Sequence, residues 1–174
     1  MPMGWPARAA FLHLARWYMA TAHAPEIDHV RANTWPEVNE QLDRETQIRL
    51  RDAAGSPAGD LKDRIEALDR EWDFERVVEA EASLMGLTGL AIALAVDRRL
   101  LVLPAFVASM LFLHATHGWY PLLPMFRRAR VRSRDEIDRE RYALKALRGD
   151  FAALPPPGSP AAERADAAWK AVCR

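Results

Sequence analysis

Two uncharged runs, ASLMGLTGLAIALAV at residues 82–96 and LLVLPAFVASMLFL at residues 100–113, are separated only by Asp97-Arg98-Arg99 in a chain where 28% of residues are charged. Two apolar segments joined by so short a polar turn predict a helical hairpin. Fifteen and fourteen residues are short against the roughly 20 that a helix needs to cross a hydrocarbon core of about 30 Å. Both runs can be lengthened. Extending the first to Val77 takes in Glu79 and Glu81, which are tolerable only near an interface. Extending the second through His114 to Met125 adds uncharged residues, with Trp119 and Tyr120 where an interfacial aromatic belt would lie. Gly86, Gly89, Ala91, Ala93 and Ala95 favour close approach of the two helices. The expected unit is a two-pass transmembrane, or membrane-embedded, hairpin over residues 80–125. The alternative is a buried hairpin at the centre of a soluble helical bundle, as runs of this length also allow.

The rest of the 174-residue chain fits one domain of ordinary size. Its 24 basic and 24 acidic groups cancel, so no global field recruits nucleic acid, and no nucleic-acid partner is expected. The distribution is uneven: no acid precedes Glu26, and Arg127 to Arg134 holds five arginines and no acid. The single cysteine, Cys173, excludes a disulfide within the chain and a cysteine-based metal site. Residues 1–32 are expected to form a basic amphipathic segment, with a helix over Trp5 to Met19 offering Phe11, Leu12, Leu14, Trp17 and Tyr18 to a membrane or a partner helix. A cleavable signal is the less favoured reading, because His13 and Arg16 interrupt its apolar stretch.

Residues 33–79 read as amphipathic helix. Thr34 and Glu37 have capping-box spacing, Pro36 suits a first turn, and Gly55-Ser56-Pro57-Ala58-Gly59 reads as a turn. Leu61, Ile65, Leu68 and Trp72 recur at 4-3-4 spacing and predict one apolar face. The pattern then runs through Trp72 and Phe74 into the first apolar run, so a continuous or kinked helix entering the bilayer is expected, with those two aromatics at the interface. Residues 126–153 carry a second capping box, Ser133 with Glu136, followed by Ile137, Leu144, Leu147 and Phe151. Residues 154–174 are a Pro-rich linker and an Ala-rich tail with a terminal helix over Ala161 to Val172. No strand-like alternation and no internal repeat is present, so the predicted class is all-α.

Functional chemistry is sparse. His114 and His117, three apart on a helix, are the weak candidates for a metal or haem ligand pair, and two ligands do not complete a site. Arg127, Arg128 and Arg130 are expected at the membrane interface beside anionic lipid, with Trp72, Phe74, Trp119 and Tyr120. There is no Walker loop, dinucleotide fingerprint, H-E-x-x-H or G-x-S-x-G. No catalytic residue, cofactor or enzymatic activity is expected. The expected partners are membrane lipid and, through the hairpin, a protein partner or a second copy. The alternative function is a redox, haem or metal accessory using His114 and His117.

The blocks Glu71-Trp72-Asp73-Phe74-Glu75-Arg76, His114-Ala115, Gly118-Trp119, Pro121, Asp135-Glu136-Ile137 and Glu140 to Phe151 (ERYALKALRGDF) resemble an uncharacterised bacterial family of the YgaP-like transmembrane type. The resemblance covers roughly Asn33 to Phe151 and lacks the rhodanese domain that some members carry. It implies a two-helix hairpin in the bacterial inner membrane and no activity. Tyr120 stands where the family usually has a cysteine, so no thiol chemistry carries over. Orientation follows from charge: the twenty residues before Ala80 hold four basic groups and the twenty from Arg127 hold eight, against two in the turn. Both termini are therefore expected in the cytoplasm.

Overall fold

The computed structural model describes residues 28–173, and every regular element among them is helical. The expected helix over Trp5 to Met19 lies outside the described residues. The first element, α1 (His29–Ala32), is a single turn capped by Asp28, whose carboxylate accepts from the Arg31 N–H at 2.9 Å. Next comes α2 (Pro36–Ala54), and its start departs from expectation. Thr34 is buried, and its hydroxyl donates back to the Val30 carbonyl at 2.6 Å, so the Thr34–Glu37 capping box does not form. Trp35 occupies the cap position without a side-chain bond, and Pro36 sits at the first helical residue, where its missing N–H costs nothing.

After the Gly55 turn, α3 (Ala58–Arg70) buries Leu61, Ile65 and Leu68. Trp72 does not extend that stripe, because the helix has already ended and the indole is half exposed. The passage into the hairpin is kinked rather than continuous. Glu71 is extended, and Asp73 opens α4 (Phe74–Ala95) by accepting from the Arg76 N–H at 2.7 Å. An Asp at this position offers the backbone a cap that competes with helix continuation.

The hairpin itself consists of α4, a 3-10 turn (Arg98–Leu101) started by Asp97, and α5 (Val102–His117). At 1.5 Å per residue α4 is about 33 Å long and α5 about 24 Å. Two helical spans are long and apolar enough to cross a membrane: one that runs through α4 to Ala95, and Arg98–His117, which joins the 3-10 turn to α5. Val78, Ala82, Gly89 and Ala93 lie along the buried side of α4. A Cβ on Gly89 would meet Pro104 Cδ at 3.2 Å, so its absence lets the helices close. Gly86 faces open space and plays no such part.

Beyond the left-handed Gly118 come α6 (Leu123–Arg128), α7 (Arg134–Arg148) and α8 (Ala161–Val172). The Ser133–Glu136 capping box of α7 forms as expected, and the terminal helix has its expected bounds. It is tied down by the Lys145 ammonium, which donates to the Val172 carbonyl.

Apolar side chains gather in two separate clusters. One joins Ala53, Leu61, Ile65, Leu68, Ile137 and Leu144, and makes a body of α2, α3 and α7. The other joins Val30, Phe74, Val78, Tyr120 and Leu123 at the foot of the hairpin. Among the described residues nothing covers the outward sides of the hairpin above that foot: Leu87 is 68% exposed, Leu94 69% and Phe106 59%. Among the described residues the larger packed cluster lies in the body, and the outward sides of the hairpin stand apart from it.

Candidate functional site: a charged collar at the foot of the hairpin

Two networks of ion pairs, built largely from the arginine-rich stretch and centred on Glu136 and Glu140 of α7, together make up the collar. Arg127 is almost wholly enclosed and forks onto Glu136 through two bonds of 2.7 Å, while also donating to Asn39 Oδ1 at 2.9 Å and the Val131 carbonyl at 3.1 Å. Glu136 takes two further bonds, from Arg31 at 2.7 Å and from the Ser133 N–H at 2.9 Å. Arg31 then forks onto Asp43 at 2.8 and 2.9 Å. A second centre mirrors the first: Arg132 binds Glu71 at 2.8 and 2.5 Å and also Glu140, which Arg49 holds at 2.8 and 2.9 Å. On the rim Arg134 pairs with Asp73 at 3.0 Å, and Arg130 pairs with Glu45.

Both central carboxylates are stabilised as anions. Burial pushes the Glu136 carboxyl upward, but the Arg127 fork, the Ser133 N–H and Arg31 outweigh it and hold the group below the usual carboxylate range. Glu140 is governed the same way, with Arg49 and Arg132 overcoming burial. Shared, bidentate Arg–carboxylate geometry suits such enclosed pairs, because nearly every donor and acceptor is satisfied.

The residues assigned to an interface from sequence divide accordingly. Trp119 (45% exposed) and Trp72 are half exposed, the latter with the Arg76 guanidinium 4.5 Å from its ring centroid. Arg128 is exposed, and Arg130 is half exposed against Glu45. Phe74, Tyr120 and Arg127 are buried within the protein. Phe74 follows the kink and turns inward onto Val78. The Tyr120 hydroxyl donates to Glu81. Arg127 faces the Glu136 side of α7.

His114 and His117 do not converge either. The His114 ring packs edge-on against Phe74 at 5.5 Å and Tyr120 at 5.9 Å, whereas His117 is exposed, its Nδ1 2.7 Å from the Thr116 hydroxyl. Among the described residues no group of three or more His, Cys, Asp or Glu side chains is placed to hold a metal. His114 does line a cleft of about 300 Å³ together with Asp28, His29, Glu75, Gly118 and Arg134.

The collar's acidic half and the α1 strap were not anticipated from sequence. Glu136 and Glu140, four apart and flanking the apolar stripe of Ile137 and Leu144, were the available signal; on a helix they share a face with the buried residues. For α1, one turn long, no periodicity exists to detect. No family model, curated protein or solved structure matches the chain.

Proposed function

We propose that this chain is a bacterial inner-membrane protein of the YgaP-like transmembrane type whose hairpin α4–α5 stands in the bilayer and whose helical body lies on the cytoplasmic side as an anchored scaffold or partner-binding module. The observation that carries this is the lack of cover on the hairpin: no residue in the apolar window of its second span, Arg98–His117, is buried by the described residues. Its exposed leucines, valines and phenylalanines form a patch far beyond the few hundred Å² that soluble monomers carry. A bilayer covers such a surface without a protein partner. The charged collar supports the same arrangement, since it gathers polar groups at the foot of the hairpin and leaves the outer part of both helices apolar.

Sodium carbonate extraction of cells expressing the full chain tests the reading. Retention in the membrane pellet at alkaline pH, with release by detergent, is the expected result. Recovery in the soluble fraction, together with a defined oligomer on sizing, overturns it and assigns the hairpin surface to contact between copies.

A further inference from the structure

On the face of α6 turned toward α2 lies a cavity of about 110 Å³ lined by Val38, Gln41, Leu42, Arg127, Arg128 and Arg130, with no acidic side chain in its wall. The counter-ions are all accounted for behind that wall. Glu136 holds Arg127, and Glu45 holds Arg130. The Arg128 guanidinium is exposed, with no partner among the described residues. It therefore keeps five N–H donors and a full positive charge, and Gln41 adds an amide.

The backbone contributes to this arrangement. Arg130 has φ 69, the left-handed conformation that closes α6: its N–H donates to the Arg127 carbonyl at 3.1 Å, and that of Val131 donates to the Phe126 carbonyl at 3.0 Å. Glycine ordinarily occupies that position because a Cβ there costs about 1 kcal/mol or more. Here an arginine takes it and turns into the cavity wall. The helix begins six positions after the last residue of α5.

We infer that this cavity is a site for a phosphate group, supplied by the headgroup of an anionic phospholipid or by a free phosphate, with Arg128, Arg130 and Gln41 as its donors. Planar guanidinium groups match phosphate oxygens through paired N–H donors. A cavity of about 110 Å³ has room for a phosphate group. The lipid source rests on the membrane reading above; the site itself does not.

The test uses the full chain in detergent. Native mass spectrometry compares retention of phosphatidylglycerol with that of phosphatidylcholine, and thermal melting compares inorganic phosphate with chloride at equal ionic strength. The expected result is retention of one phosphatidylglycerol, weakened about tenfold or more in Arg128→Gln/Arg130→Gln, the scale of a lost charge-assisted hydrogen bond. Arg98→Gln/Arg99→Gln, at the far end of the hairpin, should retain the lipid as the parent does. Stabilisation by phosphate that the pocket variant loses, without selective lipid retention, assigns a free phosphate to the same site. Equal retention of both lipids by parent and pocket variant, with no effect of phosphate, overturns the inference. Circular dichroism of the pocket variant confirms that it is folded. Carbonate extraction separately reports on the membrane reading, so the two can fail independently.

Discussion

The side-chain amide of Asn33 donates to the carbonyl of His117 at 3.0 Å, and to that of His29 at 2.9 Å. One side chain thus ties α1 to the last turn of α5, where helix carbonyls otherwise lack partners. Asn33→Ala should lower stability by about 1 kcal/mol, the value of exposed hydrogen bonds. Hydrogen exchange should rise selectively over residues 28–34. An increase spread evenly through the body would show that α1 is not the element this bond holds.

Breaking the collar from one side should be severe. Arg127→Leu removes the fork on the enclosed Glu136 carboxylate and leaves it only Arg31 and the Ser133 N–H, so a loss below the about 3–5 kcal/mol of a wholly unpaired buried charge, on the order of 2–3 kcal/mol, is expected. Arg127→Leu/Glu136→Leu should cost less than the sum of its single changes. A thermodynamic cycle from chemical denaturation measures the coupling, and strict additivity would contradict the pairing.

Acid should loosen the protein through the same carboxylates. Glu136 and Glu140 both titrate below their ordinary value in the fold. Their contribution is complete above the unfolded-state value near about 4.3 and is lost as pH falls through the lower folded values. Melting temperature should therefore hold between pH 5 and 7, on the order of the usual plateau, and fall below about pH 4. Glu136→Gln/Glu140→Gln should be less stable at neutral pH and flatter in acid.

Two glycines with left-handed backbones should respond unequally. At Gly149, φ 87, a Cβ meets nothing within 4 Å, so Gly149→Ala carries only the conformational penalty of about 1–2 kcal/mol. At Gly118, φ 71, it would lie 2.2 Å from the His29 Cβ and 2.9 Å from the His29 carbonyl oxygen. Gly118→Ala should cost more and displace α1. Parallel thermal melts of the two variants make the comparison.

Topology offers a test in intact cells. With Cys173 replaced, a cysteine at position 97 should react with a membrane-impermeant maleimide and one at position 159 should not. The reverse pattern inverts the orientation; labelling at neither position indicates a hairpin that enters and leaves on one face.

The elements with strong periodicity or punctuation were legible in the sequence. The Ser133–Glu136 box, the Gly55–Pro57 turn, the uncharged runs and the Ala161–Val172 helix all have local causes, and each forms where its residues indicate. What failed depended on tertiary context. Thr34 is as good a cap as Ser133 by composition, but it lies buried beside Val30 and its hydroxyl is used there. Arg127 is indistinguishable from Arg128 in a basic run, yet one is enclosed on Glu136 and the other exposed, because only one faces α7. A pattern of charges along a chain cannot say which of two adjacent arginines meets a carboxylate nine positions away.

The separation of the two apolar clusters divides the chain by its tolerance to mutation. Outward-facing positions such as Leu87, Leu94 and Phe106 belong to neither cluster among the described residues, so exchange there among Leu, Ile, Val and Phe should be nearly silent. Residues 28–34, 71–78 and 127–144 answer instead to shape and charge together, and a single conservative exchange such as Arg127→Lys loses a fork that Lys cannot supply. Variation among natural versions of this chain should therefore concentrate at the exposed apolar surface of the hairpin, and the arginines nearest its foot should be its most constant residues.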